Sequence, residues 1–201
     1  MSTEGNRISA TKPATARVFF ALWPPAGLAD SLGRVARDAA ARFGGRATRP
    51  DSIHLTLAFL GNVPEMRLPA LLATAAQVHG AAFALRLDRL DYWQRQQLLW
   101  AGCAKPTVSL STLFSGLRQA LDRAGFTAGR AGESYAPHVS LVRRVPAAAL
   151  PACPLRLDEL DWPCSQFVLV RSHPAAAGSD YRIIAEFPLT GDPGSTSDAH
   201  G

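Results

Sequence analysis

Two short segments pair an imidazole with a hydroxyl at a spacing suited to acid–base chemistry: Ile53-His54-Leu55-Thr56-Leu57 and Pro137-His138-Val139-Ser140-Leu141. Histidine titrates near neutral pH, so two of them can hold and release protons on either side of a reacting centre. Side chains alternate along a β-strand, so His54 and Thr56 share one face while Leu55, Leu57 and Phe59 point to the other. His138 and Ser140 stand in the same relation to Val139 and Leu141. Opening a phosphodiester fits such a quartet. One imidazole takes a proton from water, the other protonates the departing oxygen, and the hydroxyls donate to the non-bridging oxygens as charge builds there.

A histidine on a strand is often only a structural residue, and it is the pairing of the two stations that favours chemistry. His79, His173 and His200 lie beside a glycine, before a proline and near the C-terminus, and no role is assigned to them. A metal centre would need further ligands, and no carboxylate or cysteine flanks either station. Cys103, Cys153 and Cys164 form no CxxC pair and no even disulfide set, which points to a reducing compartment. No Gly-x-Gly-x-x-Gly or Walker loop is present. Neither a metal nor a cofactor is therefore expected.

The elements that must position these residues can be read from periodicity. Residues 1–16 and 190–201 are polar or turn-rich and read as disordered extensions flanking a single domain over 17–189. Arg17–Leu22 reads as a buried strand stopped by Pro24-Pro25, and Leu28, Leu32, Val35, Ala39 and Phe43 recur at helical spacing up to Gly44-Gly45. Ile53–Leu60 reads as a strand, followed by a helix carrying Leu68, Leu71, Leu72, Ala75 and Val78. Phe83–Trp93 and Leu98–Cys103 read as strands joined through Gln94–Gln97, and a helix is predicted from Thr107 to Ala124. His138–Val142, Leu155–Leu160, Phe167–Arg171 and Tyr181–Leu189 complete the strands. Strands outnumber helices and several join by short turns, which predicts an α+β fold of antiparallel sheets with helices packed outside.

The chain has 201 residues and a net charge of +5, and nearly all its basic charge is arginine, with Lys12 and Lys105 the only lysines. A basic balance suits an anionic ligand, although arginine- and alanine-rich composition alone has other origins. The polar N-terminus has no apolar signal core and no apolar run is long enough to span a membrane, so a cytoplasmic location is expected. No obligate protein partner is evident.

At the two stations the sequence resembles the 2H phosphoesterase superfamily, and within it the bacterial RNA 2′,3′-cyclic phosphodiesterase family, also called 2′-5′ RNA ligase-like. The likeness covers roughly residues 17–189 and includes Arg17–Leu22, Ile53–Gly61, Leu99-Trp100, Tyr135–Arg143, Tyr181 and Phe187–Leu189. It implies a bilobal fold with two antiparallel sheets related by pseudo-two-fold symmetry around a central active-site cleft. It implies metal-independent hydrolysis of RNA ends or nucleotides carrying a 2′,3′-cyclic phosphate, leaving a 2′-phosphomonoester. By the family pattern His54 is the proton donor, His138 the proton acceptor, and Thr56, Ser140 and Arg143 bind the phosphate. Strict alternation puts Arg143 opposite His138, so this role needs a bend or bulge after Leu141; in a straight strand Arg144 would serve. Phe19, Phe20 and Tyr135 are candidates to stack on a base, with at least one of the two phenylalanines expected in the core. Two alternatives use the same residues: 2′-5′ joining of RNA ends, or cleavage of a small nucleotide-derived cyclic phosphodiester. A third, a non-catalytic RNA- or phosphate-binding module, would not need the histidines.

Overall fold

The computed structural model describes residues 14–129, 136–151, 155–175 and 178–191. Tyr135 and Cys153 lie outside them. Strand β1 (Thr15–Leu22) begins two residues before Arg17 and leads through Pro24-Pro25 into helix α1 (Ala26–Phe43). Leu28, Leu32, Ala36, Ala39 and Phe43 form the buried stripe of α1, which is the predicted face. Gly44 and Gly45 then take positive φ values of 76° and 90°, which glycine tolerates and side-chain-bearing residues resist. The turn feeds the short strand β2 (Arg46–Ala47). A Cβ on Gly45 would lie 2.6 Å from the carbonyl oxygen of Arg143, so this approach requires glycine.

Strand β3 (Leu55–Pro64) follows a turn of 3-10 helix at Pro50–Ser52, and helix α2 (Leu68–Ala76) packs through Leu71 and Ala75. The predicted strand Phe83–Trp93 is divided at Asp88 into β4 (Phe83–Leu87) and β5 (Arg89–Trp93). The physical reason is local. The Asp88 carboxylate accepts from the backbone N–H of Ala104, its own N–H donates to the carbonyl of Gly102, and the two halves pair in different sheets. Strand β6 (Leu98–Gly102) returns from β5 through a turn with Gln97 at φ 48°. Helix α3 (Val108–Arg123) is capped by the Thr107 hydroxyl, which accepts from the Leu110 N–H at 3.2 Å. Strands β7 (Val139–Arg143), β8 (Leu160–Cys164), β9 (Gln166–Ala175) and β10 (Gly178–Pro188) complete the fold. The predicted strand Leu155–Leu160 is instead irregular up to Leu160; Leu155 and Leu157 pack against the core without joining a ladder.

The fold class is α+β. One eight-stranded antiparallel sheet runs β10-β9-β1-β3-β7-β6-β5, with β2 added at β7, and β4 and β8 form a second, two-stranded sheet. The two halves of the large sheet, β10-β9-β1-β3 and β7-β6-β5, join edge to edge where Leu55 pairs with Val139. Helix α1 packs against β7 and β2, across the seam from β1, and α3 packs against β3. The helices thus cover the outer faces while the opposite faces of the two halves border a shared cleft. Thr190, read from sequence as tail, exchanges backbone hydrogen bonds with Gly80 and Ala82. Among the described residues no helix is long and apolar enough to cross a membrane.

Candidate active site

The pairing of Leu55 with Val139 organises the site. Both side chains are fully buried in the core. Alternation therefore sends His54, Thr56, His138 and Ser140 to the other face. The same register, continued one residue each way, sets His54 opposite Ser140 and Thr56 opposite His138. Each imidazole thus has its own station's hydroxyl two residues along and the other station's hydroxyl across the seam. Both histidines stand immediately before their strands rather than within them. The reason is visible in the ring contacts: Nδ1 of His54 bonds the Ser52 carbonyl and Nδ1 of His138 the Ala136 carbonyl, each at 2.8 Å. A carbonyl only accepts, so the neutral ring carries its proton on Nδ1 and leaves the Nε2 lone pair to the cleft.

Aromatic side chains fix the two rings. Trp23 stacks on His54 at 5.4 Å with 4° between planes, Phe19 lies at 4.8 Å, and Tyr181 meets the ring edge-on at 5.3 Å. Trp93 packs edge-on against His138 at 4.4 Å, with Trp100 at 6.3 Å. Burial pushes the His54 pKa down to about 4, and the charges of Arg143 and His138 push the same way against the opposing Ser52 carbonyl. The His138 pKa is also lowered, chiefly by burial and then by Arg143, against the Ala136 carbonyl. Both rings are therefore neutral in the free protein at neutral pH. An anion in the cleft would offset Arg143 and draw both values back up.

Arg143 reaches this face through the irregularity that the sequence required. Leu99 pairs with Val142 and Trp100 with Ser140, so Leu141 is an extra residue in β7. Leu141 and Val142 are both buried, and alternation resumes with Arg143 turned to the cleft. Its Nη2 donates to the Ser140 hydroxyl at 3.3 Å. Arg144 takes φ 59° and does not line the cleft. An equivalent bulge occurs in β3, where Phe20 pairs with Ala58 and Ala21 with Thr56, leaving Leu57 as the extra residue. Phe59, expected to face the core, is consequently turned to the cleft and is 42% exposed, with the Arg17 guanidinium 4.9 Å over its ring. Phe59 and Arg143 occupy corresponding places, five residues beyond their histidines. Phe20 is fully buried in the core, as expected of one phenylalanine, while Phe19 supports His54 from a buried position.

Two adjoining cavities open along this face. One, of about 200 Å³, is bordered by Arg46, Arg49, His54, Ser140, Arg143 and Tyr181. The other, of about 370 Å³, is bordered by Arg17, His54, Thr56, Phe59, Arg143 and Tyr181. Arg49 braces the wall by pairing with Asp51 and Asp180, which ties the turn holding the Ser52 carbonyl to β10. Trp23, Trp93, Arg17, Arg46 and Phe59 were not singled out from sequence for the site. For Arg17, Phe19 and Trp23 the signal was present, since period-two spacing along β1 places them on one face. Among the described residues no three His, Cys, Asp or Glu side chains gather where they could hold a metal ion.

Comparison with known proteins agrees with this fold. The family model for LigT-like phosphoesterases matches residues 22–100. The chain is 30% identical over 175 residues to the RNA 2′,3′-cyclic phosphodiesterase of Escherichia coli (strain K12), covering 87% of this chain and 97% of that protein. It is 31% identical over 186 residues to the protein of the same name from Thermus thermophilus, covering 89% and 92%. The crystal structure of E. coli LigT complexed with 3′-AMP superposes with a TM-score of 0.80 at 28% identity, over 89% of this chain and all of that one. These relatives and this fold define a 2H phosphoesterase. The chain belongs to the LigT-like phosphoesterase family.

Proposed function

We propose that the protein hydrolyses the 2′,3′-cyclic phosphodiester at an RNA or nucleotide end to a 2′-phosphomonoester, with His54 and His138 as a paired proton donor and acceptor. The supporting observation is the seam between β3 and β7, which leaves two unblocked Nε2 atoms and two hydroxyls on one cleft face. The names of the relatives support a cyclic phosphodiester as substrate, and the LigT structures with 3′-AMP and with ATP support a nucleotide as the class of ligand.

In the proposed reaction His138 removes a proton from water as its oxygen bonds to phosphorus. The bond from phosphorus to the 3′-oxygen breaks, and protonated His54 delivers its proton to that oxygen. His54 ends neutral and His138 protonated, and proton exchange with solvent resets the pair. Thr56, Ser140 and Arg143 hold the non-bridging oxygens, the guanidinium supplying the charge and the hydroxyls the direction. Phe59, exposed at the cleft with the Arg17 guanidinium over its ring, is the aromatic side chain placed to meet the base. All steps are accounted for by side chains of the chain, without a metal.

Replacing His54 or His138 by alanine is expected to lower kcat on a nucleoside 2′,3′-cyclic phosphate by about 10²–10⁴-fold. The circular dichroism spectrum should not change. Near-normal turnover by either variant would rule out the two-histidine reaction.

A further inference from the structure

Arg17, Ser172 and Tyr181 stand abreast across β1, β9 and β10, each the cross-strand neighbour of the next. They form a polar row on a sheet face otherwise built from Phe19, Ala21, Val168 and Val170. Ser172 is 7% exposed and lines the larger cavity. Its hydroxyl makes no hydrogen bond to another described residue and is open to that cavity. Arg17, Arg46 and Arg143 border the same cavity, and no Asp or Glu does. Arg17 is exposed, and the contact assigned to its guanidinium is the ring of Phe59. Phe59 pairs with Phe19, and Thr56 with Ala21 two residues further along β1. Arg17 itself pairs with Asn62, four residues along β1 from the Ala21–Thr56 pair, so its backbone lies about 13 Å along the sheet from Thr56 and its guanidinium reaches over Phe59. An arginine based there meets a different part of a bound ligand from Thr56 and Ser140.

We infer that Arg17 and Ser172 form a second phosphate subsite, which takes the 5′-phosphoryl group of the nucleotide whose cyclic phosphate lies at the histidines. The inference rests on the proposed cyclic phosphodiesterase reading and narrows its substrate class to ends that carry a 5′-phosphate linkage. The ligand chemistry is an anionic phosphoryl oxygen cluster, met by a guanidinium and a donor hydroxyl. An internucleotide diester and a terminal 5′-phosphate both present it.

The test compares four substrates with the intact protein: a nucleoside 2′,3′-cyclic phosphate, its 5′-phosphorylated form, a dinucleotide ending in the cyclic phosphate, and that dinucleotide with an uncharged methylphosphonate linkage. The two substrates with a charged 5′-phosphoryl group should show kcat/KM about tenfold or more above the nucleoside, and the methylphosphonate should fall back to the nucleoside's level. Arg17→Ala and Ser172→Ala should lower kcat/KM for the charged substrates much more than for the nucleoside, with Arg17→Lys recovering part of the loss. A preference confined to the dinucleotide would identify the diester as the occupant. Equal turnover of the charged and uncharged dinucleotides, or an equal loss on every substrate in Arg17→Ala, would overturn the subsite alone. No turnover of any of the four would overturn the cyclic phosphodiesterase reading, and the subsite with it.

Discussion

Leu55 and Val139 face one another at the seam between β3 and β7, and the residues on either side of each carry the catalytic candidates. The core thus holds the site together through a pair that never touches solvent. Leu55→Ala is expected to cost about 2–5 kcal/mol of stability, as a large-to-small change at a fully buried position. The activity remaining under conditions where the variant is folded should also fall, because His54 and Thr56 adjoin the cavity created. Denaturant titration with a parallel rate measurement checks both.

Arg143 should act on the histidines before any substrate arrives. Its charge lowers both imidazole pKa values, so Arg143→Gln should raise them in the free protein. Titration of the imidazole resonances by NMR would show the rise. The same substitution should raise KM about tenfold or more, while Arg143→Lys keeps the charge but loses the forked geometry and recovers only part of the loss.

Stability should fall in mild acid for a reason localised at His54. The folded-state pKa is about 4 against an ordinary 6.5, so between these values the unfolded chain binds a proton that the folded chain does not. Stability is unaffected above pH 6.5 and declines as the pH drops towards 4, by up to about 3 kcal/mol from this group. His138 contributes in the same direction. His54→Ala should show a shallower loss of stability over that window. An unchanged slope would contradict the assigned burial of the ring.

Phe59 is exposed, so its removal should hardly change stability yet weaken substrate binding. Phe59→Ala is expected to raise KM for a nucleoside cyclic phosphate roughly tenfold, and Phe59→Tyr much less. Steady-state kinetics on the two variants distinguishes loss of a stacking face from general damage.

The parts of this site that were legible in the sequence follow the regular alternation of a strand. His54 with Thr56 and His138 with Ser140 share a face because no irregularity falls between them. The alternation fails at Leu57 and Leu141, where an extra residue enters β3 and β7. For β7 the need for such a bulge was evident, because a phosphate-binding Arg143 demanded it. For β3 nothing local required one, so Phe59 was read as core. Asp88 divided a continuous apolar run for a comparable reason, since its partners Gly102 and Ala104 come from the far side of a hairpin. The approach of the two stations depends on the register that sets Leu55 against Val139, on strands remote in sequence. Side-chain pattern alone carries no such register.

The identity of the product phosphate tests the two-histidine hydrolysis most sharply. Wild-type protein given an RNA oligonucleotide ending in a 2′,3′-cyclic phosphate should yield a 2′-phosphomonoester alone, resolved by phosphorus NMR or by digestion with phosphatases of known specificity. Neither His54→Ala nor His138→Ala should form it at a comparable rate. A 3′-phosphomonoester, or a cyclic end left intact by the wild-type protein, would contradict the account.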